Sequence, residues 1–314
     1  MYRDKRIALV IPAYNEEKLI QPTLEHVPAI IDRIYVVDDC STDNMRQVVQ
    51  EMTRQDPRIQ LICHEKNVGV GQGIITGYKK SAAEGNDVTV VIGGDYQMPL
   101  EQVTNFLDPL IDGQADYAKG CRFLQRSGSL QDMPKLRLIA NMMISAMTKM
   151  ASGYYKIMDV VDGYTAITLR AIELVDWDNA WKGYGYPMDF LIRLNEKGLK
   201  VVDVPRRAVY LPGERQSQIK GLRYAIKVTP MLIRGFFRRI FYKYIIWDFH
   251  PLAFFYLMGI ILSNSGFLYG IVLIIRYLMH IKVTGPQAVL CALTLIMGVQ
   301  FWLFGMLFDM EESK

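Results

Sequence analysis

Cysteine is scarce in this chain and shows no pairing. Cys40, Cys63, Cys121 and Cys291 stand alone, which excludes a disulfide framework or a zinc motif and suits a reducing compartment for the soluble part. Net charge is small, +4 over 314 residues, so charge alone makes no case for nucleic acid. The first apolar run, Ile7–Ile11, stops at Pro12 and is soon followed by Glu16 and Glu17. It is too short for a signal peptide, and the expectation is a cytosolic N-terminal domain. Two nucleotide-binding signatures are also missing. No Walker pattern occurs, and "GVGQG" at Gly69–Gly73 follows the third expected strand, whereas a dinucleotide fingerprint follows the first.

What is present is alternation. "RIALVI", "RIYVVDD", "RIQLICHE", "DVTVVIG" and "ADYAKGCRF" read as strands, separated by helical stretches such as "STDNMRQVVQEMTRQ" and "PLEQVTNFLDPLIDG". Alternation at short spacing predicts an α/β domain with a mostly parallel sheet and helices on both faces. "KVVDVPRRAVY" reads as a last strand pair, on which Arg206 and Arg207 face opposite ways.

Ligands of such sheets bind at the carboxyl ends of the strands. The polar residues expected there are Glu16, Asp38 with Asp39, Asn67 with Gly69, and Asp95 with Gln97. One acid after one strand is more often a helix cap; four strand ends converging on one edge point to a site. The glycines of Gly69–Gly73 admit two readings, close approach to a phosphate or sugar, or a tight turn. Asp189 falls near the start of a helix, where an acid is favoured in any case.

The C-terminal third differs. Pro251–Ile275 and Pro286–Phe308 carry no formal charge, and about 20 apolar residues cross a bilayer. They predict a transmembrane hairpin within 249–310. Between Lys220 and Lys243 stand seven Lys or Arg and no acid, against Arg276 and Lys282 in the connecting loop. That asymmetry expects the catalytic part on the cytoplasmic side of the cell membrane. The basic segment 216–248 interleaves cations with Phe, Tyr, Leu and Ile and reads as amphipathic, lying at the lipid surface. It abuts a span, which argues against nucleic acid.

The motifs "VIPAYNEE", "YVVDDCSTDN", "NVGVGQG", "GGDYQMP", "VDGYTAI", "GYGYPMDFLIRLNEKGLKVVDVP" and "GERQSQIK" together resemble the family 2 glycosyltransferases with the GT-A fold. More narrowly they resemble the polyprenyl-phosphate hexosyltransferases, the group of dolichyl-phosphate mannose synthase. The resemblance implies a GT-A domain over residues 1–215 that moves a hexose, mannose or glucose, from a GDP- or UDP-sugar to a polyprenyl phosphate with inversion. It implies that Pro12, Ala13, Tyr14, Glu16, Asp38, Asp39, Asn67, Gly69 and Gly94 line the nucleotide pocket. Asp95, assisted by Gln97, would hold Mg2+ or Mn2+ against the donor diphosphate. Asp189 would act as base or position the acceptor, and Arg122, Arg137 and Arg206 or Arg207 would hold the lipid phosphate. Membrane lipids are the implied surroundings; a homo-oligomer stays open.

One position departs from the family pattern. The motif ending in Asp95 usually runs acid, small residue, acid, and its first position here is Gly93. Magnesium keeps waters and shares phosphate oxygens, so one carboxylate with the diphosphate can suffice, or Asp159 or Asp162 takes over. The alternatives are a membrane glycosyltransferase that acts on a sugar hydroxyl or another lipid, and a scaffold with a decayed metal site.

Overall fold

The computed structural model describes residues 1–124, 135–207, 209 and 221–312, with side chains in 135–152 from Met142 on and in 221–241 from Tyr224 on. The first part of the chain runs β1 (Ile7–Ala13), α1 (Ile20–Glu25), β2 (Arg33–Asp38), α2 (Met45–Gln55), β3 (Ile59–Cys63), α3 (Val70–Ala83), β4 (Val88–Val91), α4 (Val103–Ile111) and β5 (Tyr117–Cys121). Then come α5 (Lys135–Ser152), β6 (Thr165–Thr168), α6 (Leu169–Leu174), α7 (Tyr186–Glu196), β7 (Val201–Pro205), α8 (Gly221–Phe241), α9 (Pro251–Leu278) and α10 (Gly285–Glu312). The chain divides into two compact units, Met1–Gly235 and Phe236–Lys314.

In the first unit the strands form one seven-stranded sheet in the order β3-β2-β1-β4-β6-β5-β7. β6 pairs antiparallel with both β4 and β5, and the other pairings are parallel. The mostly parallel expectation holds. The reversed strand inside the sheet was not foreseen, because "TAIT" is four residues long and runs straight into α6.

β1 shows why the layers form. Its apolar residues are buried on both faces, as a central parallel strand requires. Ile7, Leu9 and Ile11 pack with residues of α1, α2 and α4, including Ile20, Leu24, Val49 and Phe106. Ala8 and Val10 point the other way, into a cluster with Ile74 and Tyr78 of α3, Ile172 of α6 and Phe190 of α7. The period of two along the strand thus divides the core into two apolar layers.

Strand ends differ from the expectation in two places. β3 stops at Cys63, short of Glu65, because Asp38 and His64 close the ladder through the His64 N–H. Among the described residues the expected last pair is represented by one strand, β7, which ends at Pro205, where the proline ring supplies no N–H. Arg206 and Arg207 follow the strand.

In the second unit α9 and α10 are 28 residues each, a rise of about 42 Å. Both extend beyond the expected spans, and both are long and apolar enough to cross a membrane. Their outward side chains are exposed and apolar, Phe267, Leu268, Leu290 and Leu303 among them. An exposed apolar surface of this kind calls for lipid, and the chain is a membrane protein. Small residues line the seam between the two helices: Gly259 and Gly266 on α9 and Gly298 and Gly305 on α10 are buried, which lets the backbones approach.

Candidate active site

The carboxyl ends of β1, β2 and β4 lie together because these strands are neighbours. Three non-glycine residues there, Asn15, Cys40 and Tyr96, adopt left-handed backbone with φ of 58°, 65° and 54°. Such conformations cost on the order of 1–3 kcal/mol each and persist where the surroundings enforce them. The enforcement is visible. Asn15 donates its N–H to Ser41 Oγ at 3.0 Å and accepts from the Thr42 N–H at 2.8 Å. Glu17 accepts from Asn44, and its own N–H reaches Asp43 at 3.0 Å. The loop after β1 is therefore laced to the loop after β2.

The acids of this edge are not equivalent. Asp38 is fully buried; it accepts from the Ser41 N–H at 2.9 Å and pairs with Arg46. Asp39 accepts from the N–H groups of Val68 (2.9 Å) and Gly69 (2.7 Å) and is bridged to His64 Nδ1 at 2.9 Å. It thereby shapes the turn into α3. Asn67 is exposed in that turn. Pro12 packs beneath Gly73, Ala13 beside Gly94, and Tyr14 is exposed at the edge.

Asp95 is different. It is half-buried, and its Oδ1 accepts the Gln97 N–H at 3.3 Å. Among the described residues no Lys or Arg is paired with it. Burial raises its carboxyl above the usual range, opposed by those backbone donors and by the charge of Arg206. A Cβ at Gly93 would stand 2.9 Å from Asp95 Oδ1, so the missing side chain is the room in which this carboxylate lies. Tyr184, in the loop before α7, is raised by burial with Glu16 and Asp95 adding to the effect. That places Glu16, Asp95 and Tyr184 in one neighbourhood.

Opposite Asp95 is a cluster of paired charges at the ends of β5 and β7. Arg122 Nε lies 2.7 Å from Asp159 and 3.2 Å from Asp162. Arg206 Nη2 lies 2.8 Å from Asp162 and is 5% exposed. Arg207 points outward toward Glu101. Arg137 lies outside the described side chains, and "GERQSQIK" outside the described residues. Asp189 is buried, accepting from the Trp181 N–H at 2.8 Å and Arg193 Nε at 2.7 Å. Two members of this region had not been singled out in the sequence. Lys119 is wholly buried, donates to the Asp162 carbonyl, and is lowered by burial against the pull of Asp162 and Asp159. Arg193 is an i,i+4 partner of Asp189, a spacing that could have been read from α7.

The sequence profile described as Glycosyl transferase family 2 matches residues 8–175. The chain belongs to that family. It is a glycosyltransferase. Among its relatives, the UDP-N-acetylglucosamine–dolichyl-phosphate N-acetylglucosaminyltransferase of Methanococcus voltae is 29% identical over 66% of this chain and 87% of its own. The polyprenol monophosphomannose synthase of Mycolicibacterium smegmatis is 27% identical over 64% of this chain and 76% of its own. In fold, the chain resembles glucosyl-3-phosphoglycerate synthase from Mycobacterium tuberculosis, solved with Mn2+, UDP and product. That match has a TM-score of 0.52 and 18% identity, over 75% of this chain and 80% of the other.

The donor set for a metal in this glycosyltransferase is narrow. Among the described residues no group of three or more His, Cys, Asp or Glu is arranged to hold an ion. Asp159 and Asp162 are engaged by guanidinium groups. Asp95 remains, a hard oxygen ligand without a cationic side-chain partner among the described residues, suited to a divalent ion that takes its other ligands from phosphate and water.

Proposed function

We propose that this glycosyltransferase moves a hexose from a nucleotide sugar to a polyprenyl phosphate, inverting the anomeric centre. The observation that carries this reading is the placement on one sheet edge of Asp95, which follows β4, and the Arg122–Arg206 cluster, which follows β5 and β7. The first suits a donor diphosphate with its metal, the second an acceptor phosphate. The two relatives named above act on dolichyl or polyprenol lipids, which supports the acceptor class. They differ in sugar, so the donor stays at the level of a GDP- or UDP-linked hexose or its N-acetylamino derivative.

A phosphate oxygen of the acceptor forms the new bond to C1, and the bond from C1 to the diphosphate breaks with its electron pair leaving on the nucleotide. The acceptor is already an anion, so it needs little base assistance. Asp189, held by Arg193 and Trp181, orients rather than abstracts. Arg122 and Arg206 offset charge on the acceptor. Mg2+ or Mn2+ on Asp95, with Gln97 nearby, would supply positive charge to the departing diphosphate. Glu16, Asp38, Asp39 and their laced loops shape the nucleotide side. The basic flank of the hairpin supports a catalytic unit on the cytoplasmic side of the cell membrane.

The test incubates the full chain in membranes with radiolabelled UDP-glucose, UDP-N-acetylglucosamine or GDP-mannose, plus polyprenyl phosphate and Mg2+. Label extracted into organic solvent, released by mild acid, supports the reading. Label that stays with sugar hydroxyl acceptors, or no transfer from any donor, contradicts it.

A further inference from the structure

Asp162 occupies an unusual position among the charges. Its Oδ1 accepts the Tyr164 N–H at 2.8 Å. Its Oδ2 accepts from Arg206 Nε at 2.8 Å, and stands 2.8 Å from Arg206 Nη2 and 3.2 Å from Arg122 Nε. Its backbone carbonyl accepts from the buried ammonium of Lys119. The residue is 1% exposed. One carboxylate oxygen is therefore shared by two guanidinium groups that follow different strands, and the backbone of the same residue is anchored to the Lys119 ammonium.

The consequence is geometric. Arg122 follows β5 and Arg206 follows β7; the paired strands set their backbones side by side, with the Arg206 N–H on the Cys121 carbonyl at 3.2 Å, and the angle between the two side-chain forks is left to a common anchor. Asp162 ties both. Asp159 holds Arg122 alone, by 2.7 and 3.1 Å bonds, so it cannot set the pair. Arg206 is nearly sealed by its surroundings, while the Arg122 side chain is 29% exposed and meets solvent. A rigid guanidinium fork recognises phosphate oxygens best when little ordering remains to be done on binding.

We propose that Asp162 is a positioning residue for the acceptor: it ties the solvent-facing Arg122 to the buried Arg206, so that Arg122 is held ready for the acceptor phosphate while Asp162 does not itself touch the lipid. The inference rests on the acceptor reading given above. It assigns Asp162 to affinity for the lipid phosphate and not to the donor or to the metal.

The experiment measures steady-state transfer by the full-length protein in detergent, with polyprenyl phosphate and the donor that labels best. Asp162→Asn keeps the shape and removes the charge. The acceptor KM rises about tenfold, the scale of one hydrogen bond to a charged group, and the donor KM stays within about twofold, a split that marks loss of acceptor binding alone. Asp162→Glu recovers part of the acceptor affinity. An unchanged acceptor KM in Asp162→Asn overturns the inference, and so does an equal rise in both KM values, which marks general distortion. Should Asp162→Asn fail to fold, Asp162→Asn combined with Arg206→Gln leaves fewer unpaired buried charges. Its acceptor KM must then exceed that of Arg206→Gln alone, because Arg122 has also lost its tie; equality overturns the inference. If the unaltered protein labels no lipid, the acceptor reading falls and takes this inference with it. If the unaltered protein is active and Asp162→Asn keeps its acceptor KM, only the inference falls.

Discussion

The carbonyl oxygen of Trp181 stands 2.5 Å from the point that a Cβ on Gly71 would occupy, and that of Lys182 stands 2.9 Å from it. The glycine-rich turn is thus fitted to the protein's own backbone. The Gln72 N–H also reaches the Lys182 carbonyl at 3.3 Å, and the Trp181 N–H holds Asp189. Gly71→Ala should therefore displace the loop that orients Asp189. The expected cost is about 1–3 kcal/mol of stability, as for other overpacked sites, read as a lowered thermal midpoint together with reduced turnover. Wild-type midpoint and turnover would contradict the fit.

Asp203 on β7 should make stability depend on pH. Burial pushes its carboxyl up to about 6, against the Met158 N–H and Lys119, which pull it down, and its buried Oδ1 has no partner among the described residues. The folded state then holds this proton more tightly than the unfolded chain, whose value is about 3.9. The contribution is present below about pH 4 and is lost as pH rises through about 6. Asp203→Asn should be more stable than the wild type at pH 7–8, with the gap closing on acidification from about pH 6 to 4 by chemical unfolding. A gap that is constant with pH would rule this out.

Within the second unit, Arg239 and Asp309 meet through two bonds of 2.7 Å, with Tyr244 and Tyr256 hydroxyls also on Asp309 at 3.2 and 3.4 Å. Both charges are buried. Removing one takes both 2.7 Å bonds from the other in a buried setting, at about 3–5 kcal/mol. Asp309→Ala should lower the detergent-solubilised melting temperature, and Asp309→Ala with Arg239→Met should recover much of it. Failure of the double variant to recover would assign the loss to packing.

The sequence made the parallel strands and the hairpin legible through their uninterrupted apolar runs. Gly69–Gly73 admits two readings from sequence, because what the glycines face, the carbonyls of residues 181 and 182, lies more than a hundred residues away. β6 was missed for the same kind of reason: its direction is set by pairing with β4 and β5, not by its own four residues. The acids Asp38, Asp39 and Asp95 all stood out as strand-end carboxylates. Sequence could not say that the first two are consumed by Arg46, His64 and turn N–H groups while the third has no cationic side-chain partner among the described residues. The alternation that predicted opposite directions for Arg206 and Arg207 agrees with their contacts, to Asp162 and Glu101, although both lie past the strand.

Gly93 leaves space that Asp95 uses. Gly93→Ala would bring a methyl to 2.9 Å from Asp95 Oδ1 and turn the carboxylate aside. The concentration of Mg2+ needed for half-maximal transfer should then rise several-fold, on the order of 1 kcal/mol, with the melting temperature little changed. Unaltered Mg2+ dependence would show that this contact is immaterial.

In the proposed reaction the Asp95 carboxylate holds the cation that serves the donor diphosphate. The most direct measurement compares Asp95→Asn with the wild type for Mg2+- and Mn2+-dependent formation of labelled lipid, alongside Mn2+ binding in the presence of the nucleoside diphosphate. The variant should fold, lose metal-stimulated transfer and no longer retain Mn2+ with the nucleotide. Wild-type transfer and Mn2+ retention in Asp95→Asn would contradict it.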